Sequence, residues 1–354
     1  MKMIRTFHPV GHGAFYTERF YDDNDDNIAN VVFDCGTLST ATQLNNEIKK
    51  LQKSGMKEID AIFISHFHTD HISRIDDLLS KFGVRKVFMP VLTNERLVEA
   101  LFFNYIHQGR AYCRANRLLE RLYDDNLGET QIKCIKDAFV ENENTLLKGV
   151  VSWRYIPFCI DDSRTKLENK LKLDPYIGCI FRDDRIDIKR LINVFRSVGI
   201  EQCKELYEEV YGQKHNSYSM TVLSVISDCK KDYLFKPYVL KNDYKFCPLN
   251  CLYTGDFEAS DFYPCKNDNF VRLREFYSEY WDSIGILQVP HHGSEHNLNC
   301  GLYTPPKLCI ISAGIKDRYG HPDQQTLKAI HNMGCRYRKV TQDPNTKQVI
   351  EIII

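Results

Sequence analysis

Nothing in this sequence runs apolar for long enough to cross a membrane as a helix, which takes roughly 20 residues. The opening residues, Met1 to Pro9, lack the apolar run of a secretory leader. Charge of one sign is missing as well. Lys and Arg number 47 and Asp and Glu 47, so no global field draws the chain to nucleic acid or to an anionic membrane, although a local basic groove stays open. Cysteine is plentiful but unorganised. The 13 cysteines are odd in number, contain no CxxC, and come closest at Cys247 and Cys251. A disulfide framework shows a denser, even pattern in a shorter chain, so these are expected to be reduced, mostly buried thiols of a cytoplasmic protein. There is no GxxxxGK[ST] phosphate loop, no GxGxxG and no Gly-x-Ser-x-Gly elbow, which removes the usual anchors of nucleotide cradling and serine hydrolysis. No solenoid-length repeat or low-complexity tract is present.

What is there suffices for a large core: 354 residues, 43% of them hydrophobic. Ile28–Asp34 and Ile59–Ile64 read as buried strands, and Leu44–Leu51 as a helix with Leu44, Ile48 and Leu51 on one face. A helix is expected over Ile72–Leu79 and a strand over Lys86–Met89, stopped by Pro90. The middle, 92–214, changes character. Arg96–Leu122 and Ile186–Tyr211 read as helices, Val150–Phe158 as a strand, and Asp161–Lys172 as a charged, solvated stretch. Strands return at Ser219–Ile226, which alternates, and at Asn250–Thr254, Ile284–Val289, Leu308–Ser312 and Val349–Ile354, with a helix over Gln325–Met333. Strands alternating with helices at both ends imply a layered α/β architecture. The chain is therefore read as a single domain, 1–354, with 92–214 a largely helical insertion.

The chemistry concentrates at ends of apolar strands. His66-x-His68-x-Asp70-His71 follows one strand and precedes a helix. Imidazole and carboxylate together suit zinc, manganese or iron. In an extended turn His66 and His68 point the same way, while Asp70 and His71 fall on the next bend, so one motif can begin two adjacent metal sites. Thr254-Gly255-Asp256 ends another strand. Gly-Asp alone is a common turn, but here its carboxylate could bridge two cations. Pro290-His291-His292-Gly293-Ser294 ends a third strand and can place one imidazole on a metal and another on a leaving group. His296 is read as a rim residue. His321 precedes Pro322, which suits the first position of the last helix. His215-Asn216-Ser217-Tyr218-Ser219 leads into a strand and could orient a ligand, with His215 a further metal candidate. His8, His12, His107 and His331 lack such company and are read as structural or surface residues.

This order of motifs resembles the metallo-β-lactamase superfamily. Gly11-His12-Gly13, Asp34-Cys35-Gly36 and Ser65-His66-Phe67-His68-Thr69-Asp70-His71 are similar to its first half. Asn216-Ser217-Tyr218-Ser219-Met220, Tyr253-Thr254-Gly255-Asp256, Val289 to Ser294, Ser312-Ala313-Gly314 and Tyr319-Gly320-His321-Pro322 resemble the branch that includes the C-terminal domains of bacterial competence DNA-uptake channels and related stand-alone hydrolases. The resemblance covers about 1–90 and 215–354. It implies a four-layer αββα sandwich with two divalent ions, Zn2+ or Mn2+, at one edge. As metal ligands it implies His66, His68, Asp70, His71, Asp256 and, by chain order, His321. His291 and His292 then fall beside the reacting group, Asp70 orients a water, and Asn216, Ser219 and Ser294 bind substrate. The chain departs from that branch in having His68 where aspartate is frequent and Ala14 where Gly-Asp is usual; the branch itself has an Asn-x-x-Ser loop in place of the superfamily's middle histidine ligand, and here His215 lies next to that loop. A phosphodiesterase or nuclease acting on nucleic acid or a nucleotide is the expected activity. A lactone, thioester or amide hydrolase on the same site, and a non-catalytic metal-containing module, are the alternatives. The insertion would shape the substrate cleft or dock a protein partner; no membrane partner is expected.

Overall fold

The structure, a computed structural model, describes residues 1–107, 112–136, 153–160, 178, 181–182, 185–211, 219–226, 249–260, 268–305, 307–316 and 319–353. The expectations for Asp161–Lys172, His215 and Asn216 lie outside the described residues.

The chain opens with three strands, β1 (Lys2–Phe7), β2 (Tyr16–Tyr21) and β3 (Asn27–Phe33), which pair antiparallel. Helix α1 (Ala41–Lys53) leads to β4 (Glu58–Phe63), and two short helices, α2 (Thr69–Ile72) and α3 (Ile75–Lys81), lead to β5 (Gly83–Pro90). The single helix expected over Ile72–Leu79 is thus broken in two. The Arg74 N–H turns away to the Cys35 carbonyl (2.8 Å), interrupting the helical ladder. Helices α4 (Asn94–His107) and α5 (Tyr112–Tyr123) follow, then β6 (Gln131–Ile135), β7 (Trp153–Phe158) and the small pair β8 (Phe181–Arg182) and β9 (Arg185–Ile186). Next come α6 (Ile188–Val198) and α7 (Ile200–Tyr211), parted at Gly199, whose φ of 92° ends the first helix. The last third supplies β10 (Thr221–Ile226), β11 (Asn250–Tyr253), α8 (Asn269–Phe276), β12 (Ile284–Gln288), β13 (Leu308–Ser312), α9 (Gln324–Asn332), β14 (Arg336–Val340) and β15 (Gln348–Ile353).

Besides the β8-β9 pair, the described residues form two large sheets, one ordered β15-β1-β2-β3-β4-β5-β6 and the other β14-β13-β12-β11-β10-β7. The first is parallel from β3 through β6, the second from β11 through β14, and both are antiparallel elsewhere. Three apolar layers lie between the four layers of the sandwich. Phe33, Phe63, Trp153, Tyr253, Ile286 and Ile310 pack between the sheets. Leu44, Ile62, Leu97, Leu118 and Phe195 pack beneath the helices of the first sheet. Leu223, Leu273, Leu287 and Ile330 do so on the second. The architecture is a mixed α/β sandwich of the αββα kind. The stretch 92–214 contributes four helices among the described residues, and it also gives an edge strand to each sheet, β6 to the first and β7 to the second.

Strand β10 is buried at every position, because its polar members face partners instead of water. Ser224 sits in a polar network between the sheets. Arg5 Nε donates to Glu18 (2.7 Å), and Tyr155, Tyr253 and Ser224 donate to the same carboxylate at 2.6–2.9 Å. Arg5 and Glu18 are fully buried. Burial of that kind is tolerated only when the charge is paired and hydrogen-bonded. Of the cysteines whose side chains the structure describes, none are joined; Cys35, Cys159, Cys203, Cys251, Cys309 and Cys335 are buried, and Cys134 and Cys300 are exposed. No described helix is long and apolar enough to cross a membrane.

Candidate functional site

The candidate site lies where the parallel halves of both sheets end. Strand β4 carries Ser65 and His66 out of the first sheet, and α2 begins immediately after His68, bringing Asp70 and His71 onto its first turns. The turn is held by chain segments that approach at backbone distance. The Cys35 N–H donates to His71 O (2.7 Å), the Ala14 N–H to Asp70 O (3.1 Å), and the Met220 N–H to Ser65 O (2.8 Å). A Cβ on Gly36 would stand 2.5 Å from the Asp70 carbonyl, so only glycine admits this approach. The same holds at Gly255, with φ +54°, where a Cβ would meet Ser65 Cβ at 2.5 Å. Gln288 fixes the Gly255 turn from the end of β12. Its carbonyl oxygen accepts from the N–H groups of Thr254 and Gly255 (2.8 and 2.7 Å), and its amide donates to Val289 O (2.7 Å).

Two groups of donors form, each with its candidate ligand atoms within 4.8 Å of one another. One is Asp70, His71, Asp256 and His292; the other is His66, His68 and Asp70. Asp70 belongs to both. The Asp256 oxygens diverge, Oδ1 lying 3.1 Å from His71 Nε2 and Oδ2 lying 3.4 Å from His66 Nε2. His292 Nε2 is 3.0 Å from Asp70 Oδ2. His66 Nε2, His71 Nε2 and Asp70 Oδ1 are buried yet make no hydrogen bond. Buried polar atoms are nearly always paired, so atoms of this kind converging on one place fit a cation.

The electrostatics agree. Asp34, Asp70 and Asp256 are all buried within a few ångströms of one another's histidine partners. Burial alone would raise the Asp256 pKa, but His291, His71 and His66 hold it well below the usual carboxylate range. Asp70 is lowered too, as His71 and His292 outweigh its burial. Burial lowers His71, but Asp256, Asp34 and Asp70 outweigh it and hold that imidazole well above its ordinary value. His66 goes the other way, to about 4, through burial and the neighbouring His71. Three buried carboxylates gathered around histidines need positive charge, and nitrogen and oxygen donors in this mixture suit zinc or manganese.

The nitrogen of each histidine that faces away from the cluster is also engaged. His71 Nδ1 is 2.8 Å from Asp34 Oδ2, His66 Nδ1 is 3.1 Å from Ser65 Oγ, and His292 Nδ1 is 2.8 Å from Ser312 O. Partners of this kind fix the tautomer of a metal ligand. Asp34 itself accepts from Ser65 N–H and Oγ, both at 2.8 Å.

The remaining candidates from the sequence divide. His291 and His292 both adopt left-handed backbone, φ 48° and 56°, and so diverge in direction. Non-glycine residues there carry strain that clusters at functional sites. His292 enters the donor group. His291 stays half-buried at the rim, its Nε2 3.7 Å from Asp256 Oδ2 and its Nδ1 2.8 Å from Asn297 Oδ1. His321 lies outside both donor groups. Its Nδ1 is 3.3 Å from Asp323, and its ring is 5.8 Å from that of His291. Ser219 Oγ accepts from the Asp256 N–H (3.0 Å), and Ser294 Oγ accepts from the His296 N–H (3.3 Å). Both are buried and occupied by the backbone. His296 is exposed.

Two residues were not marked by sequence. His12, read there as structural or surface, lies with Nε2 3.6 Å from Asp70 Oδ2 and its ring 4.1 Å from that of His292. Its place between Gly11 and Gly13 was the available signal. Glu99, on α4, reaches His68 Nε2 at 3.1 Å. One acidic residue within a helical pattern gives no signal. His8, read as structural or surface, is buried between Glu47 and Thr17, its ring nitrogens 2.9 and 3.0 Å from them.

Residues 25–133 match the model of the metallo-beta-lactamase superfamily, and the match is to the superfamily and no branch of it. No curated protein matches the chain. Among solved structures, yeast PDE1 in its unliganded form is 11% identical with a TM-score of 0.43, all of both chains being covered. A long form RNase Z from yeast is 11% identical with a TM-score of 0.38, over 99% of this chain and 41% of that one. A diphosphatase from the PhnP family is 14% identical with a TM-score of 0.25, over 45% of this chain. The chain spans 57% of that diphosphatase and 65% of an archaeal metallo-beta-lactamase superfamily protein from Sulfolobus tokodaii. All are distant in both identity and superposition.

Proposed function

We propose that this chain, which carries a metallo-beta-lactamase superfamily domain at residues 25–133, is a phosphodiesterase or nuclease working through two divalent cations, zinc or manganese. The observation that carries the reading is the pair of buried donor groups sharing Asp70, in which His66 Nε2, His71 Nε2 and Asp70 Oδ1 make no hydrogen bond. When bound, the cations supply Lewis-acid chemistry: they lower the pKa of a water and neutralise the oxygens of a phosphate.

In this reading His66, His68 and Asp70 would hold one ion and Asp70, His71, Asp256 and His292 the other. Asp256 turns one oxygen towards His71 and the other towards His66. His292 is thereby assigned to the metal, and His321 to the rim with His12. Asp70 orients the attacking water. His291 is the donor that protonates the departing oxygen: its Nδ1 is fixed by Asn297, and its side chain, 30% exposed, reaches the substrate side. Such help is worth about 10²–10⁴-fold. Ser219 and Ser294 hold the Asp256 and His296 backbones, so they position the site and bind substrate only through it. A cluster able to take two cations, rimmed by imidazoles, suits a two-oxygen anion with a leaving group that needs a proton, which favours a phosphodiester of a nucleic acid or nucleotide. The chain is taken as one domain, 1–354, with 92–214 an embellishment that lends a strand to each sheet.

The test is hydrolysis of bis-p-nitrophenyl phosphate by protein reconstituted with zinc or manganese, beside a p-nitrophenyl ester, a lactone and a lactam. Turnover of the diester is expected. Turnover of the lactone or ester with none of the diester overturns the choice of bond. Metal below about 0.2 equivalents, with no added metal restoring activity, overturns the metal reading.

A further inference from the structure

The middle segment turns one helix face onto the donor loop. Glu99, Phe103 and Asn104 of α4, at i, i+4 and i+5, meet the turn from Phe67 to Thr69. Glu99 Oε1 lies 3.1 Å from His68 Nε2. The Phe103 ring stacks on the His68 ring, centroids 3.6 Å apart and 7° from parallel. Asn104 Oδ1 accepts from the Thr69 N–H (2.9 Å) and hydroxyl (2.7 Å), and its amide donates to Phe67 O (3.3 Å). Helix α7 completes the arrangement, the Tyr207 hydroxyl donating to Glu99 Oε1 (2.7 Å). Glu99, Asn104 and Tyr207 are 4%, 0% and 3% exposed.

His68 is held differently from the other donor histidines. His66, His71 and His292 are engaged at Nδ1, and Nε2 is the nitrogen left for an ion. His68 is engaged at Nε2, so Nδ1 is the one left. A carboxylate on the far nitrogen sets the tautomer and raises the basicity of a ligating imidazole.

We propose that α4 and α7 form a clasp that sets the metal affinity of the His66–His68 side of the site, with Glu99 as the positioning residue and Tyr207 as its support. The inference rests on the metal reading above. Glu99 keeps the His68 proton on Nε2 and Nδ1 ready to ligate; Tyr207 holds the carboxylate in place, and Phe103 holds the ring plane. Occupation by an ion in turn braces both helices against the sandwich.

The experiment compares the metal-free wild type with Glu99→Ala, Glu99→Gln and Tyr207→Phe. Zinc affinity is read by competition with a chromophoric chelator, the visible absorption of the Co2+ form reports the ligand set, and hydrogen exchange is followed over residues 94–107 and 200–211. Glu99→Ala should weaken one zinc of the wild-type complement by about 10–100-fold and alter the Co2+ spectrum. Glu99→Gln, whose amide oxygen can still accept the Nε2 proton, should fall between. Tyr207→Phe should shift affinity in the same direction by less. Zinc should slow exchange in both helices of the wild type and less so in Glu99→Ala. If Glu99→Ala does not fold, Glu99→Gln and Tyr207→Phe decide. Variants that bind zinc as the wild type does, with the wild-type Co2+ spectrum, overturn the clasp and leave the metal reading standing, even if their melting temperatures fall. A wild type that binds no metal overturns both.

Discussion

Replacing Asp34 by Asn tests how the site is held while changing almost no shape. Asp34 sits in left-handed backbone at φ 51°, which Asn tolerates as well as Asp. Its carboxylate accepts three hydrogen bonds, from Ser65 N–H on Oδ1 and from Ser65 Oγ and His71 Nδ1 on Oδ2, all at 2.8 Å. An amide cannot reproduce this in either orientation. With its oxygen on the Ser65 N–H, its NH₂ faces His71 Nδ1, and the imidazole must move its proton to Nε2, the nitrogen required for a ligand. With the amide turned over, NH₂ faces N–H, and a buried donor left unpaired costs about 1–3 kcal/mol. Loss of such a partner lowers metal affinity about 10–100-fold, equivalent to about 1.4–2.7 kcal/mol. Zinc competition titrations of Asp34→Asn should show that loss on the Asp70–His71–Asp256–His292 side, with activity recovered in part by excess metal. Wild-type affinity and turnover in the variant would refute the reasoning, since neither amide orientation should be tolerated.

Asp70→Ala should abolish diester hydrolysis under saturating metal while far-UV circular dichroism stays that of the wild type; retained turnover would remove Asp70 from the chemistry. His291→Ala should lose about 10²–10⁴-fold on a poor leaving group, recover much of it with p-nitrophenol and ignore added metal; a response to metal in place of leaving group would exchange its role with that of His292. Arg5→Met leaves the Glu18 carboxylate buried without its countercharge and should cost about 3–5 kcal/mol in urea unfolding, a loss below about 1 kcal/mol counting against the assignment. His8 is held down to about 4 by burial, against an unfolded value of about 6.5. The folded state therefore resists the proton, stability is complete above about pH 6.5, and it falls by roughly 3 kcal/mol as the pH drops towards 4. Unfolding of metal-free His8→Gln should be flatter than the wild type over that window; parallel curves would place the proton elsewhere.

The donor loop was legible because its residues are consecutive. An apolar strand running into His66, His68, Asp70 and His71 states both the position and the chemistry in seven residues. Asp256 and His292 were legible for a related reason, each ending an apolar strand beside a glycine that admits close packing. What the sequence did not separate was His292 from His321. Both stand before glycine or proline turns, and only the paired left-handed backbone at His291 and His292 sends the second imidazole into the donor group. His12 and Glu99 were hidden because their partners are distant in the chain. His12 reaches Asp70 through packing around Gly13 and Gly36, and Glu99 is one acidic residue on a helix whose inner face only the fold defines. The layered α/β architecture followed from alternating strands and helices, and the four-layer sandwich from the resemblance alone. Strand β6 went unread because Gln131–Ile135 mixes polar and apolar residues at a sheet edge, where one side needs no apolar cover.

Asp70 and His292 are 222 residues apart in sequence and 3.0 Å apart in space, the first carried by one sheet and the second by the other. On the proposed metal reading, an ion held by both would be a staple across the sandwich, closing a loop as long as most whole domains. Because an unfolded chain cannot bring such distant donors together without a large loss of entropy, the ion binds the folded form far better. At 100 times its dissociation constant it adds about 2.7 kcal/mol of stability, a sizeable share of what an ordinary domain possesses. On the proposed metal reading, metal supply would then govern how long the molecule survives as well as whether it works. Chelated protein should be digested by a nonspecific protease faster than the zinc-loaded form, and equal digestion rates would show that the staple carries no load. A cell short of zinc or manganese would accordingly hold less of this protein, instead of keeping an idle reserve awaiting its ions.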